Sequence, residues 1–254
     1  MEIRQEQMDV LAEAARRDFE NQLVLHVQEF SPRSFEILGE PVVREVVQAG
    51  MARAEEYGFT NRGPVQFYIE LMFMFGSDYD TDPQYPWAHE ILSDADGDQM
   101  VRADRLYEES MDFVQKVAGP DFEYEKRALR RVRRLDPDLP SKSGAGQRVN
   151  IRERLRRMHP EKYDYIGKEA IRALIERGSK LAGEHSITEA SGGALLVALM
   201  FAFGHGCVTD PQFPWIAETL KESSDKEAGE RVQLLYSKMM TYFDHALEAF
   251  KEGA

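Results

Sequence analysis

The sequence predicts an all-α protein built from two tandem homologous helical units packed as a pseudo-twofold pair. Three observations lead there. Apolar residues recur at steps of three and four along most of the chain, the spacing that lines one face of a helix. No stretch shows the strict alternation of a half-buried strand. A long segment also occurs twice without a gap.

The repeat is clearest between Leu71–Trp87, LMFMFGSDYDTDPQYPW, and Leu199–Trp215, LMFAFGHGCVTDPQFPW. Gly76 and Gly204 fix the offset at 128 residues. At that offset Pro32 meets Pro160, Gly39 meets Gly167, Arg44 meets Arg172 and Gly50 meets Gly178. Residues 32–92 and 160–220 share 20 identities in 61 positions, far above chance for two unrelated segments. With a shift of one more residue, Leu106-Tyr107 falls on Leu235-Tyr236. A period this long marks duplicated units rather than a solenoid of short repeats.

The elements follow in order. Met8, Leu11, Ala15, Phe19, Leu23, Val27 and Phe30 predict a helix over residues 5–30, with Pro32 just past its end. Pro41 suits the first turn of a second helix, and Gly58 suits its stop. A third helix opens near Thr60–Pro64 and runs through Leu71 to Phe75, where Gly76 ends it. A short helix is expected from Trp87 to Leu92. A long one is expected over 98–118, with Val101, Leu106, Phe113, Val114 and Val117 as its apolar positions. The second unit repeats this order from about residue 160 to 251. The expected division is unit one over 1–125, a basic linker and entry helix over 126–159, and unit two over 160–254. Asp136–Gly146 has turn and linker chemistry. Residues 126–162 hold 13 Lys/Arg against 4 Asp/Glu, a balance of +9, so the remainder of the chain carries −22 to give the net −13.

Composition excludes several classes. At 254 residues and 43% hydrophobic content the chain can bury a sizeable core. A net charge of −13 argues against a general nucleic-acid binder. Cys207 is the single cysteine, so no internal disulfide is possible and a reducing, cytoplasmic compartment fits. The longest apolar run, Ala194–Phe203, is half of the roughly 20 residues a membrane span needs, and no secretory signal is visible.

The Thr-Asp-Pro-Gln-(Tyr/Phe)-Pro-Trp motif, present in both units, reads first as a structural corner. Asp82 and Asp210 would cap a turn begun by Pro83 or Pro211, and Pro86 or Pro214 would start the next helix. Trp87 and Trp215 would bury their rings against the Leu-Met-Phe-x-Phe helices, each indole N–H finding a partner. Asp78, Asp80 and Asp82 alternate as in a calcium loop. However, Pro83 stands where such a loop needs glycine and His89 where it needs glutamate, while unit two keeps only Asp210. Asp94–Asp98 reads as a solvated turn. His205 and Cys207 are not matched in unit one, where Ser77 and Tyr79 stand, so a thiol–imidazole pair is not part of the repeated design. No metal, cofactor or catalytic residue is therefore expected. Met72, Met74 and Met200 read as core fillers.

Ala54-Glu-Glu-Tyr57-Gly58-Phe59-Thr60, followed by Leu71 through Ala88, resembles the pattern of a group of bacterial helical proteins. That group carries Leu-Met-Phe-x-Phe-Gly-x-x-Phe-Asp-x-Asp-Pro-x-x-Pro-Trp-Ala and resembles accessory or immunity components encoded beside type VI secretion effectors and polymorphic toxins. Unit two departs from it at His185-Ser186 and Val208. The resemblance implies a non-catalytic protein that binds a toxin or effector partner as an immunity protein. Its alternatives are an effector-loading chaperone or adaptor, and a structural or regulatory helical protein with no toxin partner. Two charged surfaces compete for the partner: Glu108 and Glu109 on the long helix of unit one, and Arg130, Arg131, Arg133 and Arg134 in the basic stretch. A monomer with an internal pseudo-dimer is one expected state.

Overall fold

A computed structural model describes residues 5–133, 151–187 and 190–252. Every regular element among them is helical. The linker Asp136–Gly146 and Arg134 lie outside the described residues.

In the first half, α1 is Gln5–Phe30, α2 Pro32–Glu56, α3 Arg62–Phe75, α4 Pro86–Leu92 and α5 Gln99–Phe113. A single wider helical turn, Val114–Ala118, continues α5 and stops at Gly119. Then α6 is Glu123–Val132 and α7 Ile151–Met158. The second half holds α8 (Pro160–Glu184), α9 (Ala190–Phe203), α10 (Pro214–Glu222) and α11 (Ala228–Glu252).

The local chemistry accounts for the boundaries. Gly39 at φ 74° and Gly167 at φ 79° break α2 and α8 at matching positions, a backbone geometry that L side chains rarely adopt. Pro41 restarts α2 as expected, but a further turn, begun by Pro32, precedes the break. Asp98 caps α5 by accepting from Met100 N at 2.8 Å and Val101 N at 3.3 Å. The Asp94–Asp98 turn thus ends in a helix cap, an interaction of about 1 kcal/mol.

Packing repeats at the 128-residue offset. A Cβ on Gly50 would lie 2.7 Å from Ile69 and Met72, and one on Gly178 would overlap Val197. Both glycines therefore let α2 approach α3, and α8 approach α9, more closely than any other residue would. Helix α7 matches only the last two turns of α1, with Leu155 and Val27 equally buried.

The apolar residues fall into two clusters. One draws on α1 to α5. The other draws on α6 to α11 and includes Val132, Leu155 and Met158, so the basic linker and entry helix supplies part of the second core. Tyr165 and Ile166 bind the halves together: Ile166 packs against both clusters, and the Tyr165 hydroxyl donates to Asp112 at 3.0 Å. Several expected apolar positions are corrected. Met8, Leu11, Ala15, Phe30, Met74 and Val101 are exposed, because helical spacing marks an apolar position without showing whether another element covers it.

Candidate functional site

The two corner motifs meet each other. Gly76 and Gly204 both adopt φ 97°, and a Cβ on either would collide with the other half: 2.7 Å from Phe203 O for Gly76, 3.0 Å from Phe75 O for Gly204. This close approach aligns reciprocal hydrogen bonds. Asp82 accepts from His205 N at 2.6 Å, and Asp210 accepts from Ser77 N at 2.8 Å. Gln84 Nε2 donates to Met200 O at 3.0 Å, and Gln212 Nε2 donates to Met72 O at 2.8 Å. Each aspartate also accepts from the backbone N–H two residues on, at Gln84 and Gln212, fixing the turn that Pro83 or Pro211 begins. Pro86 and Pro214 open α4 and α10. Burial pushes the Asp210 carboxyl above the usual range, against the hydrogen bonds from Ser77 and Gln212.

Trp87 and Trp215 meet Phe75 and Phe203 edge to face, with ring centroids 6.0 and 6.3 Å apart. The expectation of a satisfied indole is corrected: both rings are half-buried, and neither Nε1 has a hydrogen-bond partner among the described residues. The aromatic faces around the ring offer area but no acceptor.

Unit one adds a polar cluster beneath its corner. Arg53 donates to Asp80 at 2.5 Å, to Asp78 at 2.6 Å and to Ser77 O at 2.9 Å. Asp80, 1% exposed, also accepts from the Tyr57 and Tyr68 hydroxyls at 3.0 Å each. Asp78 and Asp80 thus share the Arg53 guanidinium, while Asp82 faces the backbone N–H groups of His205 and Gln84. Among the described residues no group of three or more His, Cys, Asp or Glu side chains is placed to hold a metal ion. Cys207 is buried and its thiol is pushed well up by that burial, which removes the thiolate needed for nucleophilic chemistry. His205 spends its backbone N–H on Asp82 and sets its ring beside Thr81 at 3.3 Å.

Lys162 is a group that sequence reasoning passed over. It lies at the third position of α8, 7% exposed, with its ammonium 5.2 Å from the Phe201 ring centroid, 5.8 Å from Tyr85 and 6.0 Å from Phe113. Those rings come from both halves. Among the described residues the ammonium makes no hydrogen bond or ion pair. Burial pulls its pKa down to about 8, against the attraction of Asp82 and Glu125. In sequence it is only a Lys two residues past Pro160, and nothing there foretells burial.

The charged surfaces separate clearly. Arg131 pairs with Glu161 at 3.7 Å and Arg133 with Asp244 at 2.6 Å, while Arg156 reaches Asp164 at 3.6 Å. Among the described residues of the basic stretch, these three arginines are turned onto the chain's own acids, while Arg130 is exposed. Glu108 and Glu109 are exposed, and neither has an ion-pair partner among the described residues. Glu108 stands on a helix face that also exposes Met100, Val101, Tyr107 and Met111 around Asp104, whereas Glu109 lies on the flank nearer Tyr165. Among the described residues no helix is long and apolar enough to cross a membrane. No protein-family model matches the chain, and no curated protein or solved structure matches it.

Proposed function

We propose that the chain is a tandem duplication whose units pack as a pseudo-twofold pair, and that it acts in the cytoplasm by binding a protein partner rather than by catalysis. The reading is that of an immunity protein holding a cognate toxin. The outer face of α5 carries it. Met100, Val101, Tyr107 and Met111 are exposed side by side with Asp104 and Glu108, an apolar patch framed by acids. Exposed patches of this kind mark interaction sites. The framing acids favour a partner with a basic rim and speed its encounter.

The opposite electrostatic choice has less in its favour. The guanidinium groups of Arg131 and Arg133 are already matched by Glu161 and Asp244 within the chain. The interlocked corners serve the pairing of the two halves, since their donors and acceptors point at one another.

Affinity capture from the source organism, followed by binding measurements with the purified partner, tests the reading. Glu108→Lys with Glu109→Lys is expected to slow association at least about tenfold at low salt, with the difference shrinking as salt screens it over about 8 Å. The melting temperature should stay that of the parent. Loss of binding on Arg130→Ala and Arg131→Ala, with no effect of the acid reversals, would reverse the assignment to an acidic partner. A chain that retains no stoichiometric partner would leave only the structural reading.

A further inference from the structure

The first half of α1 presents a second apolar surface, separate from the α5 face. Residues 7–18 are all exposed, although Met8, Val10, Leu11, Ala12, Ala14 and Ala15 make six of the eight positions from Met8 to Ala15 apolar. Leu11 is 60% exposed and Met8 52%. Met8, Ala12, Ala15 and Phe19 follow one another at steps of four, three and four. They continue along the helix the stripe that Leu23 and Val27 bury in the core. The stripe is therefore core-like in composition but runs past the end of the chain's own packing. The Arg16–Glu55 pair, at 3.6 Å, marks where α2 stops accompanying α1.

The pattern along this segment is complementary to itself when reversed. An antiparallel overlay centred between Leu11 and Ala12 sets Met8 of one copy against Ala15 of the other and Leu11 against Ala12. Each large side chain then meets a small one, as close helix packing requires. The charges reverse in the same sense. Arg16, which pairs with Glu55 of its own chain, falls two residues, about 3 Å along the axis, from Asp9 of the other copy, so opposite rather than like charges adjoin there. Exposed pairs of this kind contribute little to affinity but set orientation. Twelve residues span about 18 Å, and two such helices bury less than the roughly 1,200 Å² of a standard interface.

We propose that this α1 segment docks antiparallel on the same segment of a second copy of the chain, forming a weak, concentration-dependent dimer. Val10 and Ala14 remain on the outer side of the pair.

Sedimentation velocity of the full chain over about three decades of concentration, up to about 1 mM, reads the association directly. The parent is expected to pass from monomer to dimer, and Leu11→Glu to shift that transition at least about tenfold upward in concentration. Because Leu11 is exposed, its variant should keep the parent's melting temperature. Cysteine crosslinking fixes the orientation, with Cys207 buried and out of reach. Chains carrying Met8→Cys mixed with chains carrying Ala15→Cys should form a disulfide-linked pair, and Met8→Cys alone should form little. A parent that stays monomeric throughout, a dimer indifferent to Leu11→Glu, or efficient crosslinking of Met8→Cys to itself would each overturn the proposal.

Discussion

The two corners share a backbone but differ in what lies beneath it. In unit one Arg53, Tyr68 and Asp80 form a buried, hydrogen-bonded charge cluster. At the 128-residue offset unit two has Leu181, Leu196 and Val208, all packed into its apolar core. The whole group has changed, not one member. The physical reason is the asymmetry of buried charge. Removing one partner strands the other in a low dielectric, whereas replacing the set with apolar residues of similar volume is close to neutral. The interlocking Asp82 and Asp210, by contrast, are kept in both units, because each satisfies donors on the other half.

The largest effect is expected for Asp80→Val, which removes the buried acceptor of the Tyr57 and Tyr68 hydroxyls and leaves Arg53 only Asp78 and Ser77 O. It is expected to destabilise by about 3–5 kcal/mol in denaturant unfolding. The triple variant Arg53→Leu, Tyr68→Leu, Asp80→Val imports unit two's solution and should recover much of that loss. A triple variant as unstable as the single one would show that the clusters are not alternatives.

Gly76→Ala comes next. It forces a methyl onto Phe203 O at a φ of 97°, and a loss of about 3 kcal/mol is expected. Gly183→Ala, in α8 with nothing within 4 Å of its Cβ, should instead leave stability equal or raise it by up to about 1 kcal/mol. Thermal melts of the pair separate close approach from mere glycine loss.

At the seam the two halves differ again: Lys162 stands where unit one has Ser34. Its folded pKa of about 8 lies below the ordinary lysine value near 10.5. Between those values the unfolded chain binds more protons, so stability should rise as pH climbs through that window. Below it the buried charge costs on the order of 3 kcal/mol. Lys162→Met is expected to melt higher than the parent at pH 7, with the gap closing by about pH 10. A gap constant across pH would mean that the ammonium is not the cause.

The smallest effect concerns the two outer helix faces. With the one-residue shift, Met100, Val101 and Glu108 correspond to Gly229, Glu230 and Ser237 on α11. The apolar-acidic face thus belongs to unit one alone. Glu108→Lys should change the melting temperature little, as surface substitutions stay within about 0.5 kcal/mol. A large change would place Glu108 in the fold instead of on a binding face.

The amino-acid sequence carries the helices and the repeated motif on its own. Spacing of apolar residues, glycine stops and proline starts are local properties, and the gap-free match of Leu71–Trp87 to Leu199–Trp215, identical at 11 of 17 positions, needs no structure to be seen. It also singled out the corner residues Gly76, Asp82, Gly204 and Asp210. It did not show that the glutamines of the same motif cross to the other half, nor that Lys162 is enclosed by Tyr85, Phe113 and Phe201. Those contacts join residues at least 39 positions apart, and folding alone brings them together. Val101 and Leu11 carry the same limit: periodicity identifies a face that wants cover, while exposure depends on which distant element arrives to cover it.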